Sequence, residues 1–374
     1  MSRKITYIIS SVDKALEFEW VIQFLDPERF QLSFIILNPK PSSALAELAQ
    51  ARGIPVKFIT YRSQASFPRA LLQTFWQLLR WRPDLVNCHL PQGTLIGLLA
   101  AKLVGIKHRY YTRHHSTLNH QYHPHAIKYD KWSNQLATHI IAVSQVVKEV
   151  LVNKEGVSPA KISVVNHCLD LEQFENVEEA RIKAVKERNL IPEAKPVIGV
   201  IARYTFWKGI QDIIPAFKKI RRRHPDAHLI LANARKGDYL KEIDQLLSEL
   251  PDGSYTEIPF EKDLYALYQV FDLFIHTPVD GQSEAFGQIY LEALASRVPS
   301  VFTKSGIAVE IMKNEQNALI VPFRDSESIA HSALKLLEDQ QLCDRLVETG
   351  EKTVRAGFTI DKKMAALEQL YQKT

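Results

Sequence analysis

The sequence predicts an α/β fold with two Rossmann-like βαβ domains that face each other across a cleft, and three observations support this prediction. Short runs rich in β-branched and aromatic residues recur along the chain and alternate with longer segments of helical spacing. The alternation stops in a polar, charged stretch at 169–196 and then begins again. The length of 374 residues also suits two domains, at roughly 100–200 residues each.

The two series of β-rich runs define the predicted domains. The first predicts strands at 5–10, 32–37, 56–60, 85–90, 109–112, 139–144 and 162–167. The second predicts strands at 196–203, 227–233, 255–260, 273–278, 299–303 and 317–323, followed by several helices. We therefore expect an N-terminal domain at 1–172 and a C-terminal domain with terminal helices at 190–374. In such parallel sheets, functional residues lie just beyond the carboxyl ends of strands.

Composition favours a cytoplasmic protein. Apolar residues make up 46% of the chain and charged residues 24%, as in soluble globular proteins. No run reaches the roughly 18 apolar residues that a spanning helix needs, and the N-terminal apolar run is too short for a secretory signal. The three cysteines lie far apart, without metal-ligand spacing, which indicates a reduced compartment.

Charge is distributed unevenly between the predicted domains. Residues 1–172 hold 20 Lys and Arg against 12 Asp and Glu, a balance of +8, whereas the remainder is acidic. An anionic partner such as a phospholipid surface is one explanation, and simple solubility is another. The segment 67–82 is a basic, aromatic, amphipathic helix that could lie on a membrane, although we expect it to pack on its own sheet.

The stretch EAFGQIYLEALA at 284–295 follows a predicted strand and opens a helix. Glu284 precedes the helix, whose first N–H groups are unpaired and can bind an anion. Gly287 allows a ligand to approach the backbone, and the carboxylate of Glu292 can accept hydrogen bonds from a pair of hydroxyls. The alternative is a helix-start carboxylate stabilised by the dipole and a surface glutamate.

A second motif ends the first strand of the C-terminal domain. Arg203 follows the strand, and Lys208 with Gly209 opens the next helix. Two cations beside a helix N-terminus suit a diphosphate, whereas surface Arg and Lys residues are the common alternative.

Together these motifs resemble those of the group 1 (family 4) retaining glycosyltransferases of the GT-B fold. The resemblance rests on VIARYTFWKG and EAFGQIYLE and extends more weakly through HIIAVSQVVKEVL into the first domain. It implies that Glu284 holds donor-sugar hydroxyls, Glu292 the ribose, and Arg203 with Lys208 the diphosphate. The backbone at Phe286 and Gly287 would help to hold the donor.

The resemblance also places an active-site histidine after the fifth strand. The segment 108–125 holds six of the 13 histidines, and its TRHH sequence puts that role at His114, with His115 as the second choice. The spacing of these histidines matches no standard zinc site, and the chain contains no Asp-x-Asp. We therefore expect metal-independent transfer with no cofactor. One departure is the absence of the family's Gly-Gly pair after the first strand, where Ser10 and Ser11 stand instead.

The predicted function is retaining transfer of a sugar from a nucleotide-sugar donor, with a UDP-sugar favoured over a GDP-sugar. The acceptor would be a glycan or lipid-linked molecule in surface polysaccharide or glycolipid assembly, bound on the N-terminal domain. Peripheral contact with the inner face of a membrane is part of this hypothesis, and nucleic acid is not a predicted partner. The alternatives are a non-catalytic nucleotide-sugar-binding protein and a hydrolase or epimerase of the same fold.

Overall fold

A computed structural model describes residues 2–193 and 195–373, which form two compact units. The first comprises residues 2–168 and 360–373, and the second comprises residues 169–359 apart from 194. Each unit is built on an all-parallel sheet, as the alternating pattern predicts.

The first unit has a sheet of seven strands in the order β3-β2-β1-β4-β5-β6-β7. Its central strands are mostly buried, as expected for a parallel sheet covered on both faces by helices: residues 5–10 and 85–89 are all buried. The strands are β1 (Arg3–Ser10), β2 (Phe30–Asn38), β3 (Val56–Thr60), β4 (Leu85–His89), β5 (His108–Arg113), β6 (His139–Ala142) and β7 (Ile162–Val164). All seven predicted strands are therefore confirmed.

Within the described residues, seven α-helices connect these strands, two of them between β5 and β6. They are α1 (Leu16–Phe24), α2 (Ala44–Ala51), α3 (Phe67–Trp81), α4 (Pro91–Val104), α5 (Leu118–Tyr122), α6 (Ile127–Leu136) and α7 (Gln145–Asn153). Helix α4 packs closely on β1 because Gly93 has no side chain. A β-carbon there would lie 3.0 Å from the backbone nitrogen of Ser10.

The second unit has six parallel strands in the order β10-β9-β8-β11-β12-β13. They are β8 (Val197–Ile201), β9 (His228–Ala232), β10 (Tyr255–Ile258), β11 (Leu273–His276), β12 (Ser300–Phe302) and β13 (Leu319–Ile320). The helices are α8 (Glu179–Arg188), α9 (Ile210–Arg223), α10 (Leu240–Leu247), α11 (Leu264–Tyr268), α12 (Gln288–Ala295), α13 (Ala308–Ile311), α14 (Ser326–Glu338) and α15 (Gln340–Gly357).

The last helix, α16 (Ile360–Gln372), corrects the predicted domain boundary, since it packs in the first unit and not in the second. Its Tyr371 is fully buried, and the Tyr371 hydroxyl lies 2.6 Å from that of Tyr7 and accepts from Asn87 Nδ2 at 2.8 Å. These contacts place the C-terminal helix on the core of β1 and β4.

In both sheets the strand order reverses beside the first strand, between β1 and β4 and between β8 and β11. Ligands of open α/β sheets bind at such switch points, beyond the carboxyl ends of the strands. The loops after β8 and β11, and those after β1, β4 and β5, are therefore where functional side chains are expected.

Candidate active site

In the second unit, a close backbone approach joins the loop after β8 to the end of β11. Gly209 has a φ of +73°, and a β-carbon on it would lie 1.9 Å from the carbonyl oxygen of Thr277. Only glycine fits this position, for reasons of both space and backbone conformation. The approach brings Lys208, in the loop after β8, to Glu284, in the loop after β11.

Lys208 and Glu284 form a nearly buried ion pair. Lys208 Nζ lies 2.5 Å from Glu284 Oε1, and the two side chains are 18% and 11% exposed. The same oxygen accepts from His276 Nε2 at 3.2 Å. Burial alone would raise the pKa of Glu284, but Lys208 and His276 outweigh it and lower the pKa to about 2. Glu284 is therefore a carboxylate over the whole physiological pH range.

A neighbouring loop supports the backbone around Glu284. The Glu284 N–H donates to Ser305 Oγ at 3.0 Å, and the Phe286 carbonyl accepts from Ile307 N at 2.7 Å. Gly306 makes this approach possible, since a β-carbon there would lie 2.5 Å from the Phe286 carbonyl oxygen. The carboxylate is thus held on a rigid backbone.

Phe286 and Gly287 lie at the start of α12, as predicted, and their contacts refine how the backbone could bind a donor. The Phe286 ring is buried and its carbonyl is already hydrogen-bonded to Ile307. Gly287 has a φ of +79° and precedes the first helical residue. Any anion at this point would therefore meet helix N–H groups and not the Phe286 carbonyl.

Glu292 lies in α12, beyond its first turn, and is half-buried. Its Oε2 accepts from the hydroxyl of the buried Tyr268 at 3.1 Å. Burial raises the pKa of Glu292 to about 7, and the Tyr268 hydrogen bond opposes this rise. The two glutamates of the motif therefore differ, because only Glu284 has a cation beside it.

Arg203 follows β8 and is exposed. Within residues 2–193 and 195–373 it forms no hydrogen bond or ion pair through its guanidinium. An exposed guanidinium without a protein partner can bind an anionic ligand, and this feature agrees with its predicted role.

In the first unit, His114 follows β5 and contacts His89 at the end of β4. His89 Nδ1 lies 3.0 Å from His114 Nε2. His89 is buried, with its ring stacked on Tyr7 at 5.2 Å, and its Nε2 has no partner in the described part of the chain. An orphaned N–H is rarer in proteins than an orphaned acceptor, so we assign the His89 proton to Nδ1, which then donates to His114. His114 then accepts at Nε2 and carries its own proton on Nδ1.

Burial lowers the pKa of His114 to about 4, although the nearby Glu17 carboxylate opposes this effect. The imidazole is therefore neutral near pH 7 and can donate one hydrogen bond and accept another. It does not act as a cation toward a diphosphate.

Glu17, in the first turn of α1, is an acidic neighbour of His114 that the sequence did not reveal. It pairs with His167 Nδ1 at 3.0 Å and with Lys363 Nζ of α16 at 2.9 Å. Ligand atoms of Glu17, His114 and His167 lie within 4.8 Å of one another, as a metal site would require. Lys363 already supplies a positive charge to Glu17, so a cation there would have to compete with it. Metal independence stays a prediction.

His115, the second choice for the active-site histidine, points to a different set of partners. Its Nε2 lies 3.3 Å from Asp130, which also pairs with Arg113 at 2.9 Å. Arg113 in turn contacts the buried Glu155 at 2.6 Å. The charged groups of this network pair with one another and hold the loop after β5. His115 is therefore already engaged within the fold, which favours His114 as the proposed active-site histidine.

Ser10 and Ser11 stand where the family's glycine pair would lie, and one of them has a backbone conformation that favours glycine. Ser11 has a φ of +54°, a left-handed value that favours glycine and costs a serine roughly 1–2 kcal/mol. Ser10 Oγ accepts from Gly93 N at 3.0 Å, and Asp13 Oδ1 accepts from Ala44 N at 3.2 Å. The Ser10 and Asp13 side chains are therefore both used within the fold, and Asp13 contacts the start of α2.

Four further residues contact predicted ones or their neighbours without having been predicted: His276 in the second unit, and His89, His167 and Lys363 in the first. His89 and His276 end strands β4 and β11, so the expectation that functional residues follow strands could have identified them. His167 lies shortly after β7 and carries the same signal. Lys363 carries no such signal, because its contact with Glu17 spans nearly the whole chain.

Comparison with known proteins supports the resemblance. The model described as "Glycosyl transferases group 1" matches residues 181–353, and the model described as "Glycosyltransferase Family 4" matches residues 22–173. The chain is 24% identical over 308 residues to the capsular polysaccharide biosynthesis glycosyltransferase CapM of Staphylococcus aureus, covering 81% of this chain and 80% of CapM.

Two further likenesses concern about half of the chain and the fold, respectively. The chain is 27% identical over 188 residues to the N-acetyl-alpha-D-glucosaminyl L-malate synthase of Bacillus anthracis, covering 50% of this chain and 48% of that protein, about half its length. The crystal structure of Anabaena HepE in complex with UDP and glucose superposes with a TM-score of 0.83, at 18% identity and full coverage of both chains. The latter shows a shared fold.

Proposed function

Because the chain belongs to the group 1, family 4 glycosyltransferases and has their GT-B fold, we propose that it transfers a sugar from a nucleotide-sugar to a glycan or lipid-linked acceptor. Surface polysaccharide or glycolipid assembly is the proposed context, in line with the likeness to CapM. A UDP-sugar is the favoured donor, in line with the UDP bound to HepE.

The single observation that supports this function best is the paired Lys208 and Glu284 at the switch point. Glu284 uses Oε1 for Lys208 and His276, and in the described residues its Oε2 has no partner. That oxygen can accept from a sugar hydroxyl. The ammonium of Lys208 has donors beyond the one that Glu284 uses, and Arg203, in the same loop as Lys208, has no side-chain partner among the described residues. The loops after β8 and β11 would thus supply two diphosphate-binding cations and a sugar-binding carboxylate, respectively.

In the proposed reaction, the acceptor hydroxyl oxygen forms a bond to the anomeric carbon while the bond to the diphosphate oxygen breaks. The electron pair leaves with the nucleoside diphosphate, and the hydroxyl proton passes to the leaving oxygen. Arg203, Lys208 and helix N–H groups stabilise the charge that develops there, which is where preorganised donors accelerate a reaction. We further propose retention of configuration by front-face substitution and no need for a metal ion. His114 would contact the sugar as a neutral donor.

The proposed acceptor side includes a peripheral membrane contact through α3. Its Leu72, Trp76 and Leu79 are 56%, 59% and 38% exposed, in helical spacing on one face. Arg69 and Arg80 flank them, and residues 48–83 contain no acidic residue. The expectation that α3 simply packs on its sheet holds for its other face alone, where Ala70, Thr74 and Leu78 are buried. An anionic lipid surface matches both the exposed apolar residues and the charge.

None of the described helices is long and apolar enough to cross a membrane.

Release of nucleoside diphosphate from UDP- and GDP-sugars, with and without acceptor extracts, tests the function. Acceptor-dependent release together with a new glycosylated product is expected. Release without acceptor would indicate a hydrolase, a changed donor sugar an epimerase, and donor binding without any release a non-catalytic binding protein.

A further inference from the structure

A cavity of about 440 Å³ opens in the first unit beyond the ends of β4 and β5. This volume lies in the usual range for small-molecule sites. His114 lines it, so a molecule in this cavity reaches the side chain that we place beside the donor sugar. None of the residues proposed to bind the nucleotide lines this cavity.

The walls of the cavity are mainly aromatic and aliphatic. They include Tyr61 before α3, Phe67 in α3, Leu95 in α4, and Tyr129 with Trp132 in α6. The Tyr129 and Trp132 rings meet edge to face at 5.7 Å, and Trp132 stays 50% exposed at the rim. An exposed tryptophan beside an open apolar space is a surface that a ligand could cover.

The charged groups at the base of the cavity are not free to bind a ligand. Arg113 is 2% exposed and contacts both Asp130 and Glu155, while Asp130 also accepts from Asn119 at 2.7 Å. Burial lowers the pKa of both His114 and His115, so neither contributes a cation near neutral pH. A phosphate in this cavity would find no unpaired cation among the described lining residues.

From these observations we infer that the cavity holds the uncharged, apolar part of the acceptor, the hydrocarbon portion of a lipid or glycolipid whose hydroxyl lies near His114. Helix α3 connects this cavity to the proposed membrane contact, since its first residue lines the cavity and its exposed apolar face continues along the helix. A lipid acceptor could thus enter from the membrane surface. This inference rests on the proposed function and names its acceptor class.

Binding of soluble alkyl glucosides tests the inference without requiring the natural acceptor. Calorimetric titration with octyl β-glucoside, below its micelle concentration, is compared with methyl β-glucoside. At about 0.8 kcal/mol per buried CH₂, burial of even two or three groups gives at least tenfold tighter binding of the octyl compound. Salt should leave that affinity unchanged, because no charge is involved. Equal affinities, or a strong salt dependence, would overturn the inference.

Two tryptophan variants provide a matched pair. Trp132→Ala removes a cavity wall and should weaken octyl glucoside binding by about tenfold. Trp76→Ala removes a similarly exposed ring from α3 and should leave that binding unchanged while weakening adsorption to anionic vesicles. Unchanged octyl glucoside binding in Trp132→Ala would refute the cavity assignment. The thermal stabilisation of the protein by UDP and the release of nucleotide are measured in parallel. Sugar transfer to short polar acceptors alone would refute the inference and leave the proposed function intact.

Discussion

Replacing Lys208 by Met should damage both stability and turnover, whereas replacing Arg203 by Ala should damage turnover alone. The difference follows from their surroundings. Lys208 is the cation beside the buried Glu284 carboxylate, while Arg203 is exposed and has no partner among the described residues. Removal of one member of a buried pair leaves the other charge uncompensated, which is costly.

The size of the stability effect can be worked from the pKa of Glu284. A decrease from 4.5 to about 2 corresponds, at roughly 1.4 kcal/mol per pH unit, to about 3 kcal/mol of stability. Because the folded-state pKa is depressed, this contribution is present above pH 4.5 and is lost as the pH falls toward 2. Lys208→Met should therefore lower the free energy of unfolding at pH 7 by an amount on the order of 2–3 kcal/mol and make the protein less sensitive to acid.

Urea denaturation at pH 7 and pH 4, together with nucleotide release, gives the measurement. Arg203→Ala should stay within about 0.5 kcal/mol of the parent, and each variant should lose ~10²–10³-fold in kcat. The double variant Lys208→Met/Glu284→Gln should regain part of the lost stability, because no buried charge is left unpaired. Parental stability and kcat in Lys208→Met would refute the reasoning, as would a double variant that is less stable than either single one.

Three other outcomes are expected. UDP affinity should rise by about tenfold between pH 6 and pH 8, because Glu292, with a pKa of about 7, accepts hydrogen bonds from ribose hydroxyls best when ionised. Glu292→Gln should remove this pH dependence of UDP affinity. An unchanged UDP affinity over this pH range in the parent protein would contradict the prediction. Full turnover should persist in EDTA, and a loss that Mn²⁺ or Mg²⁺ restores would show metal dependence. His89→Leu should move the His114 proton from Nδ1 toward Nε2, and ¹⁵N chemical shifts would report this change. His89→Gln keeps a hydrogen-bond donor at this position and should preserve the His114 tautomer. An unchanged tautomer in His89→Leu would show that His89 does not set it.

The sequence alone predicted the elements of the fold with few errors. Within the described residues, all thirteen strands lie where short β-rich runs alternate with helical segments, because β-branched and aromatic side chains pack well on the faces of a parallel sheet. The same local information placed Arg203, Lys208 and Glu284 in loops after strands, and Gly287 at a helix start. Glycines, strand ends and helix starts are properties of a few neighbouring residues, and the sequence states them directly.

The partners of these residues depended on the tertiary structure. The sequence assigned the last helix to the second domain, but Tyr371 packs against Tyr7 and Asn87 in the first. Its amphipathic pattern shows that one face is buried and does not show on which sheet. Helix α3 is a similar case, because its pattern could not reveal that Leu72 and Trp76 would stay exposed while the opposite face was buried.

The protonation states of the candidate site show the same division most clearly. Glu284 and Glu292 are both glutamates of one motif, yet the pKa of one falls to about 2 and that of the other rises to about 7. The difference comes from Lys208, which the close approach of Gly209 to Thr277 brings to Glu284 and not to Glu292. The sequence determined which groups can ionise. Only the tertiary structure decided which charges meet, because electrostatic energies depend on distance and burial and not on separation along the chain.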